Sequence, residues 1–187
     1  MKRIIFSLFA ISLGVVLLTG CPPKKKLPIE GKPAEEVKKP EETAPAEQPL
    51  KENEVKITQE WTDVPALGMV HFPYDSSSLE ATERVVLKKN VAILKKLPKT
   101  ITVRVEGHCD DRGTVEYNIA LGQRRATAVQ SYYVTAGMAK SRVQTISFGE
   151  ERPLCTEATE ECWAQNRRDT TKLRNPEPIV INTEELK

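Results

Sequence analysis

The chain has 187 residues, with 28 Lys and Arg set against 26 Asp and Glu and only 5% aromatic residues. This length holds one ordinary domain with flanking segments. A formal charge of only +2 makes nucleic acid an unexpected partner.

The first residues form a targeting segment. Lys2 and Arg3 supply a positive start, and Ile4 to Leu18 is an apolar run of about 15 residues, short for a membrane span. Leu18, Thr19, Gly20 and Cys21 follow. Small residues ahead of a cysteine resemble the bacterial lipobox, which implies cleavage after Gly20 and acylation of Cys21. Several acyl chains anchor stably where a single one does not. Pro22 does not resemble the aspartate that retains lipoproteins at the inner membrane, so the expected location is the outer membrane, with the domain facing the periplasm.

Pro22 to Lys56 reads as a tether. Seven of the 13 prolines fall here, eight lysines balance eight glutamates, and neither an aromatic residue nor an apolar period is present. A flexible coil of this length spans ~30–35 Å. The expected organisation is a signal peptide over 1–20, a lipidated cysteine and tether over 21–66, a folded domain over 67–175 and a loosely ordered tail over 176–187. Trp61, in the transitional stretch, is expected to cover an edge of the domain.

Gly68 to Phe72 alternates weakly and reads as a first strand. Ser77 and Glu80 form a Ser-x-x-Glu capping box ahead of a helix, whose apolar positions are Leu79, Val86, Ile93 and Leu97 and which Pro98 stops. Ile101, Val103 and Val105 alternate with Thr102, Arg104 and Glu106, giving a half-buried strand that ends near Gly107. A polar loop leads to a second helix over Val115 to Ala136, with Thr114 as N-cap and Gly137 as stop. Tyr117, Leu121, Ala128 and Tyr132 mark its apolar face, and Arg125 and Asn118 share that side. Val143 to Phe148 reads as a strand, Thr159 to Asn166 as a short helix and Arg167 to Leu173 as a final strand. Strands alternating with helices give β-α-β-α-β with α-β appended: an α/β two-layer sandwich, with helices on one face of a mixed sheet.

A cation inside an apolar stripe needs an anionic partner. The loop offers Asp110 and Asp111, so the strand exit and the helix face can bring a carboxylate and a guanidinium to one cleft. Assigning Cys21 to lipid leaves Cys155 and Cys162, seven apart, to form a disulfide in an exported protein, and Cys109 as a small, partly buried thiol.

GHCDDRG at 107–113, YN at 117–118, LG at 121–122 and RRA at 124–126 closely resemble the OmpA-like peptidoglycan-binding domain. The resemblance runs from roughly Gly68 to Asp169, about one domain length. It implies the same sandwich, no cofactor, and non-covalent binding of the peptidoglycan stem peptide at diaminopimelate. That residue carries an ammonium and a carboxylate on one carbon. Asp110 matches the family position that receives the ammonium, and Arg125 the arginine that receives the carboxylate in two-point contact. By the same resemblance, Asn118 orders the loop or lends an amide, Phe72 supplies an apolar wall, and Asp75 supplies polar or backbone contacts. Asn166 is structural and Arg168 lies near the cleft. By themselves the residues favour an internal Asp110–Arg125 ion pair that braces the loop, and the resemblance is what favours the ligand site. Asp111 and Arg112 read as a solvated surface pair, and Arg124 as ordinary surface.

The resemblance further implies a tether between outer membrane and wall. It implies a role in a Tol-type system of envelope integrity and cell division, through that system's periplasmic propeller protein. Two rivals differ in class. A metal-dependent or cysteine hydrolase would use His108, Cys109, Asp110 or His71, but no CxxC, HExxH or GxSxG is present, so no enzyme is expected. A protein-binding scaffold would use the same surface without the wall.

Overall fold

The alternation at Val103 and Val105 produces the strand on which the fold is built. The structure, a computed structural model, describes residues 50–186. The signal segment, Cys21 and most of the tether lie outside the described residues. The elements, in chain order, are β1 (Glu54–Ile57), β2 (Thr62–Asp63), β3 (Val70–His71), α1 (Ala81–Lys96), β4 (Thr102–His108), α2 (Val115–Thr135), β5 (Val143–Gly149), α3 (Glu160–Asn166), β6 (Arg168–Arg174) and β7 (Ile179–Asn182). β4 pairs in parallel with β5 and antiparallel with β6. The outer edge of β6 takes β2 beside Lys172 and Leu173, and β3 beside Arg168 and Asp169. The result is the expected mixed sheet with a helical layer, an α/β two-layer sandwich.

Val103, Val105 and Leu173 from the sheet meet Leu87, Val91 and Leu94 of α1 and Ala126, Val129 and Tyr133 of α2 in one apolar core. Tyr133 and Asn90 find polar partners within it. The Tyr133 hydroxyl lies 2.9 Å from Thr171 Oγ1 and accepts from Asn90 Nδ2, and Asn90 also exchanges two hydrogen bonds with the Gly68 backbone.

Three local expectations are corrected. The buried face of α2 is Asn118, Leu121, Gly122, Arg125, Ala126, Val129 and Tyr133, so it is rotated from the Tyr117–Ala128–Tyr132 line. Tyr117 is exposed, and Ala128 and Tyr132 are half-buried. The cause is close approach: Gly122 faces Gly107, where only a glycine pair lets helix and strand backbones touch. The Ser77–Glu80 capping box does not form. The chain stays extended to Glu80, which caps α1 without a side-chain bond, and Ser76 Oγ accepts instead from Ser78 N. Finally, the chain is ordered earlier and later than expected. β1 pairs with β7 from Glu54↔Asn182 to Ile57↔Ile179, so part of the presumed tether and the presumed loose tail form a ribbon. Val55, Ile57, Ile179 and Ile181 supply the period-two pattern, and Ile57 is fully buried. Trp61 lies against the Arg104 and Arg174 guanidinium groups at 4.3 and 4.5 Å, beside edge strand β2. Among the described residues, no helix is long and apolar enough to cross a membrane.

The glycine contact gives a direct test. A Cβ at Gly107 would meet the Gly122 carbonyl well inside van der Waals contact. Gly107→Ala should therefore lose ~1–3 kcal/mol or more of stability, read as a lower urea midpoint. An unchanged midpoint would refute the close packing of α2 on β4.

Candidate binding cleft

The loop after β4 begins with Cys109, whose N–H bonds to the Gly149 carbonyl at 2.8 Å. Gly113 turns the chain at φ 128°, and Thr114 caps α2 by accepting from Tyr117 N. Across from this loop runs the β3–α1 connection, where Asp75 takes a left-handed φ of 51°. Between the two lies a cleft of about 400 Å³, lined by Tyr74, Asp75, Asp110, Arg112, Tyr117 and Leu121 with the backbone at Gly113 and Thr114.

Asp110 is 4% exposed. Its Oδ2 accepts from Arg112 Nη2 at 2.6 Å, Arg112 Nε at 3.1 Å and Arg167 Nη1 at 3.1 Å. Oδ1 has no protein donor among the described residues. Both arginines continue to Glu160 at the start of α3, at 3.2 and 2.7 Å. Glu160 also suits the positive end of that helix. The Arg112 guanidinium sits 4.1 Å from the Tyr74 ring centre and 4.2 Å from that of Trp163. Arg112 is therefore not half of a solvated pair with Asp111. It is a cation fixed by two aromatic rings and two carboxylates at the cleft wall.

Arg125 is placed differently from the expectation. It is 0% exposed and does not line the cleft. All three guanidinium nitrogens donate inward: Nε to the Ser76 carbonyl at 2.7 Å, Nη1 to the His108 carbonyl at 3.0 Å and Cys109 Sγ at 3.5 Å, and Nη2 to the Pro73 carbonyl at 3.1 Å. Nor does it bond to Asp110, whose Oδ2 is already occupied by the other two arginines. Arg125 instead ties the Pro73–Ser76 loop to the β4 exit. Behind it lies Asp169, buried, with neither side-chain oxygen hydrogen-bonded among the described residues. Burial holds the Asp169 carboxyl well above the usual carboxylate range, against the pull of Arg125 and Arg168.

The remaining expected residues separate by role. Asn118 Nδ2 bonds the Asp110 carbonyl at 3.1 Å and Glu150 Oε2 at 2.5 Å, so it orders the loop from below. Phe72 is a core residue 5.1 Å from the Arg125 guanidinium, and the exposed wall expected of it is Tyr74, 58% exposed. Asp75 does line the cleft, and its carboxylate accepts from the Tyr117 hydroxyl. Arg168 is buried on the opposite sheet face, bonding the Arg152 carbonyl, and it is Arg167 that reaches Asp110. Asn166 is structural as read, bracketing the loop through Leu154 N, Cys155 N and the Cys155 carbonyl. Cys155 and Cys162 are joined in a disulfide. The Cys109 thiol is buried and pushed up to about 11 by that burial, which suits a packing group rather than a nucleophile. Among the described residues, no cluster of His, Cys, Asp and Glu could hold a metal ion.

With this geometry in place, the comparisons define the class. The OmpA family model matches residues 71–167, just over half of the chain, and the chain belongs to that family. Its relatives include the peptidoglycan-associated lipoproteins of Brucella melitensis, 42% identical over 104 residues, and Mesorhizobium japonicum, 45% identical over 104 residues. Each match covers 56% of this chain and 61% of the relative. The chain therefore spans under two thirds of the curated relatives it matches. Among solved structures, the peptidoglycan-associated lipoprotein of Burkholderia pseudomallei is similar at a TM-score of 0.54 and 35% identity, over 57% of this chain and 89% of that one. The C-terminal domain of Helicobacter pylori MotB shares the fold at a TM-score of 0.55 and 20% identity, over 58% of this chain and 84% of its own.

Two measurements test the site's construction. Arg125→Ala removes a donor from the buried His108 carbonyl and the half-buried Pro73 and Ser76 carbonyls and should cost about 3 kcal/mol, whereas Arg124→Ala should stay within about 0.5 kcal/mol; equal midpoint losses in urea would refute the helix-face assignment. His108 stacks on Phe148 at 5.5 Å, and burial, aided by Arg168, Arg152 and Lys172, lowers its pKa from 6.5 to about 3. The unfolded chain then binds the extra proton, so His108 withdraws stability as pH falls from 6.5 toward 3. Urea midpoints of His108→Phe should decline less steeply over that window than those of the parent chain.

Proposed function

We propose that this chain is an outer-membrane lipoprotein, acylated at Cys21, that grips peptidoglycan without chemistry and so ties membrane to wall. The observation that carries the reading is Asp110, a cleft carboxylate with one oxygen clamped by two arginines and the other without a protein donor among the described residues. The family membership and the names of its relatives support it. The ligand head group is the zwitterion of diaminopimelate in the stem peptide. Asp110 Oδ1 takes its ammonium. Its carboxylate meets the Arg112 guanidinium and the free amides of the α2 N-terminus, whose dipole favours an anion. Arg125 acts as a positioning residue that sets the loop opposite. Lipid at one end and wall at the other make the second attachment intramolecular, so modest affinity suffices.

The same cleft rim carries exposed aromatic surface, Tyr74 and Tyr117, at 58% and 44% exposure. Aromatic side chains of this kind serve protein contacts. On that observation we also propose that a Tol-type propeller protein, or another protein of the envelope, competes for the rim.

The test is co-sedimentation with purified sacculi. The mature chain should pellet with them, and Asp110→Ala should reduce pelleting at least tenfold while the thermal melt remains cooperative. Retention of Asp110→Ala by sacculi, at parent level, would sink the cleft assignment. Mass spectrometry of membrane-extracted protein should find acyl chains on Cys21; an unmodified N-terminal segment would sink the anchor.

A further inference from the structure

Between Arg84 and Lys99 the sequence holds six cations and no Asp or Glu. This stretch is α1 and its exit. Helical spacing sorts it cleanly. Leu87, Asn90, Val91, Ile93 and Leu94 are buried, while Arg84, Val85, Lys88, Lys89, Ala92 and Lys95 are exposed. Lys99 continues the same row beyond the helix. The acids at the borders are placed elsewhere: Glu83 bonds the His71 amide at 2.7 Å, and the C-terminal residues meet α1 at Lys96, which bonds the Glu185 and Leu186 carbonyls. No ion pair joins Arg84, Lys88, Lys89, Lys95 or Lys99 to a carboxylate among the described residues. Lys95 also approaches Gly137, where the α2–β5 connection adds Lys140 and Arg142. From Tyr117 to Gly149 there is likewise no Asp or Glu. Asp75, Asp110, Asp111, Glu150 and Glu160 lie around the cleft instead. The α1 face is thus basic and, among the described residues, unpaired by acids, whereas Asp110 and Glu160 at the cleft are offset by Arg112 and Arg167.

We infer that the exposed face of α1 docks on a lipid surface of anionic phosphate head groups. This rests on the proposed acylation of Cys21, which confines the domain within a tether's reach of such a surface. The chemistry of the face favours a diffuse anionic plane over a shaped ligand. It is a row of flexible ammonium groups on a convex helix, with no cleft-lining residue and no aromatic residue among them. Val85, 56% exposed, stands between Arg84 and Lys88 as an apolar tip suited to the head-group layer. Each such cation near an anionic membrane contributes roughly fivefold in affinity, and salt screens the attraction. The face is separate from the cleft, so lipid contact and wall contact are independent events.

The experiment uses the mature chain carrying Cys21→Ser, which cannot be acylated, and vesicles of phosphatidylcholine alone or mixed with phosphatidylglycerol. The chain should co-sediment with the anionic vesicles at low salt, be released by high salt, and ignore the neutral ones. Replacing Lys88, Lys89, Lys95 and Lys99 together by Gln should weaken vesicle binding at least tenfold with an unchanged melt, while Asp110→Ala should bind vesicles as the parent does. Absence of vesicle binding, equal binding to neutral vesicles, or full binding by the Gln variant would overturn the inference. So would a Gln variant that keeps its vesicles but loses sacculi, because the face would then serve the wall. Failure of the cleft reading appears separately, as retention of Asp110→Ala by sacculi; failure of the anchor appears as an unacylated Cys21.

Discussion

The buried guanidinium of Arg125 holds the cleft's two sides together. It has no exposed surface and spends its donors on carbonyls from two separate loops and on a sulfur. A backbone carbonyl in the interior must find a donor. Here one side chain meets that need for Pro73, Ser76 and His108 at once, so the loop that carries Tyr74 and Asp75 cannot drift from the strand end that carries Asp110. Asp169 lies behind that charge, but burial favours its neutral form, so the carbonyl dipoles are what the guanidinium rests against. This arrangement separates two tasks that a sequence motif merges. One arginine builds the cleft, and another, Arg112, lines it.

Asp110 shows the complementary design. A nearly buried carboxylate survives because Arg112 and Arg167 clamp one of its oxygens, and both are in turn braced by Glu160. Tyr74 and Trp163 fix the orientation of Arg112. The disulfide and Asn166 order the 150–166 segment that brings Glu160 and Trp163 to this point. A ligand would meet charges whose positions are already set, so little ordering remains to be done on binding.

Much of this was legible in the residues. β4, α2 with its Thr114 cap, β5 and α3 fall within a residue or two of the periodic and capping signals, because there the local pattern and the packed structure agree. The disulfide followed from spacing once Cys21 was assigned elsewhere. The rotation of α2 was not legible, since Gly122 reads as a weak helix former until Gly107 is known to face it. Arg125 lay in the right phase, yet no local signal distinguishes a guanidinium turned toward carbonyls from one turned toward solvent. Arg167, Trp163 and Glu160 were missed as cleft partners because they lie some 50 residues from Asp110 in sequence. The β1–β7 ribbon did carry its own alternation at Val55, Ile57, Ile179 and Ile181, hidden by the prolines and charges around it.

That ribbon has a mechanical meaning. Glu54–Ile57 is the first strand of the described chain, and its only strand partner is Ile179–Asn182 near the far terminus. Tension arriving along the preceding residues is borne first by this four-pair ladder, before it can reach the five-stranded sheet that shapes the cleft. Peeling the ladder would draw Ile57 out of the shared core, so the ribbon is joined to the cleft's scaffold by apolar packing as well as by backbone pairing.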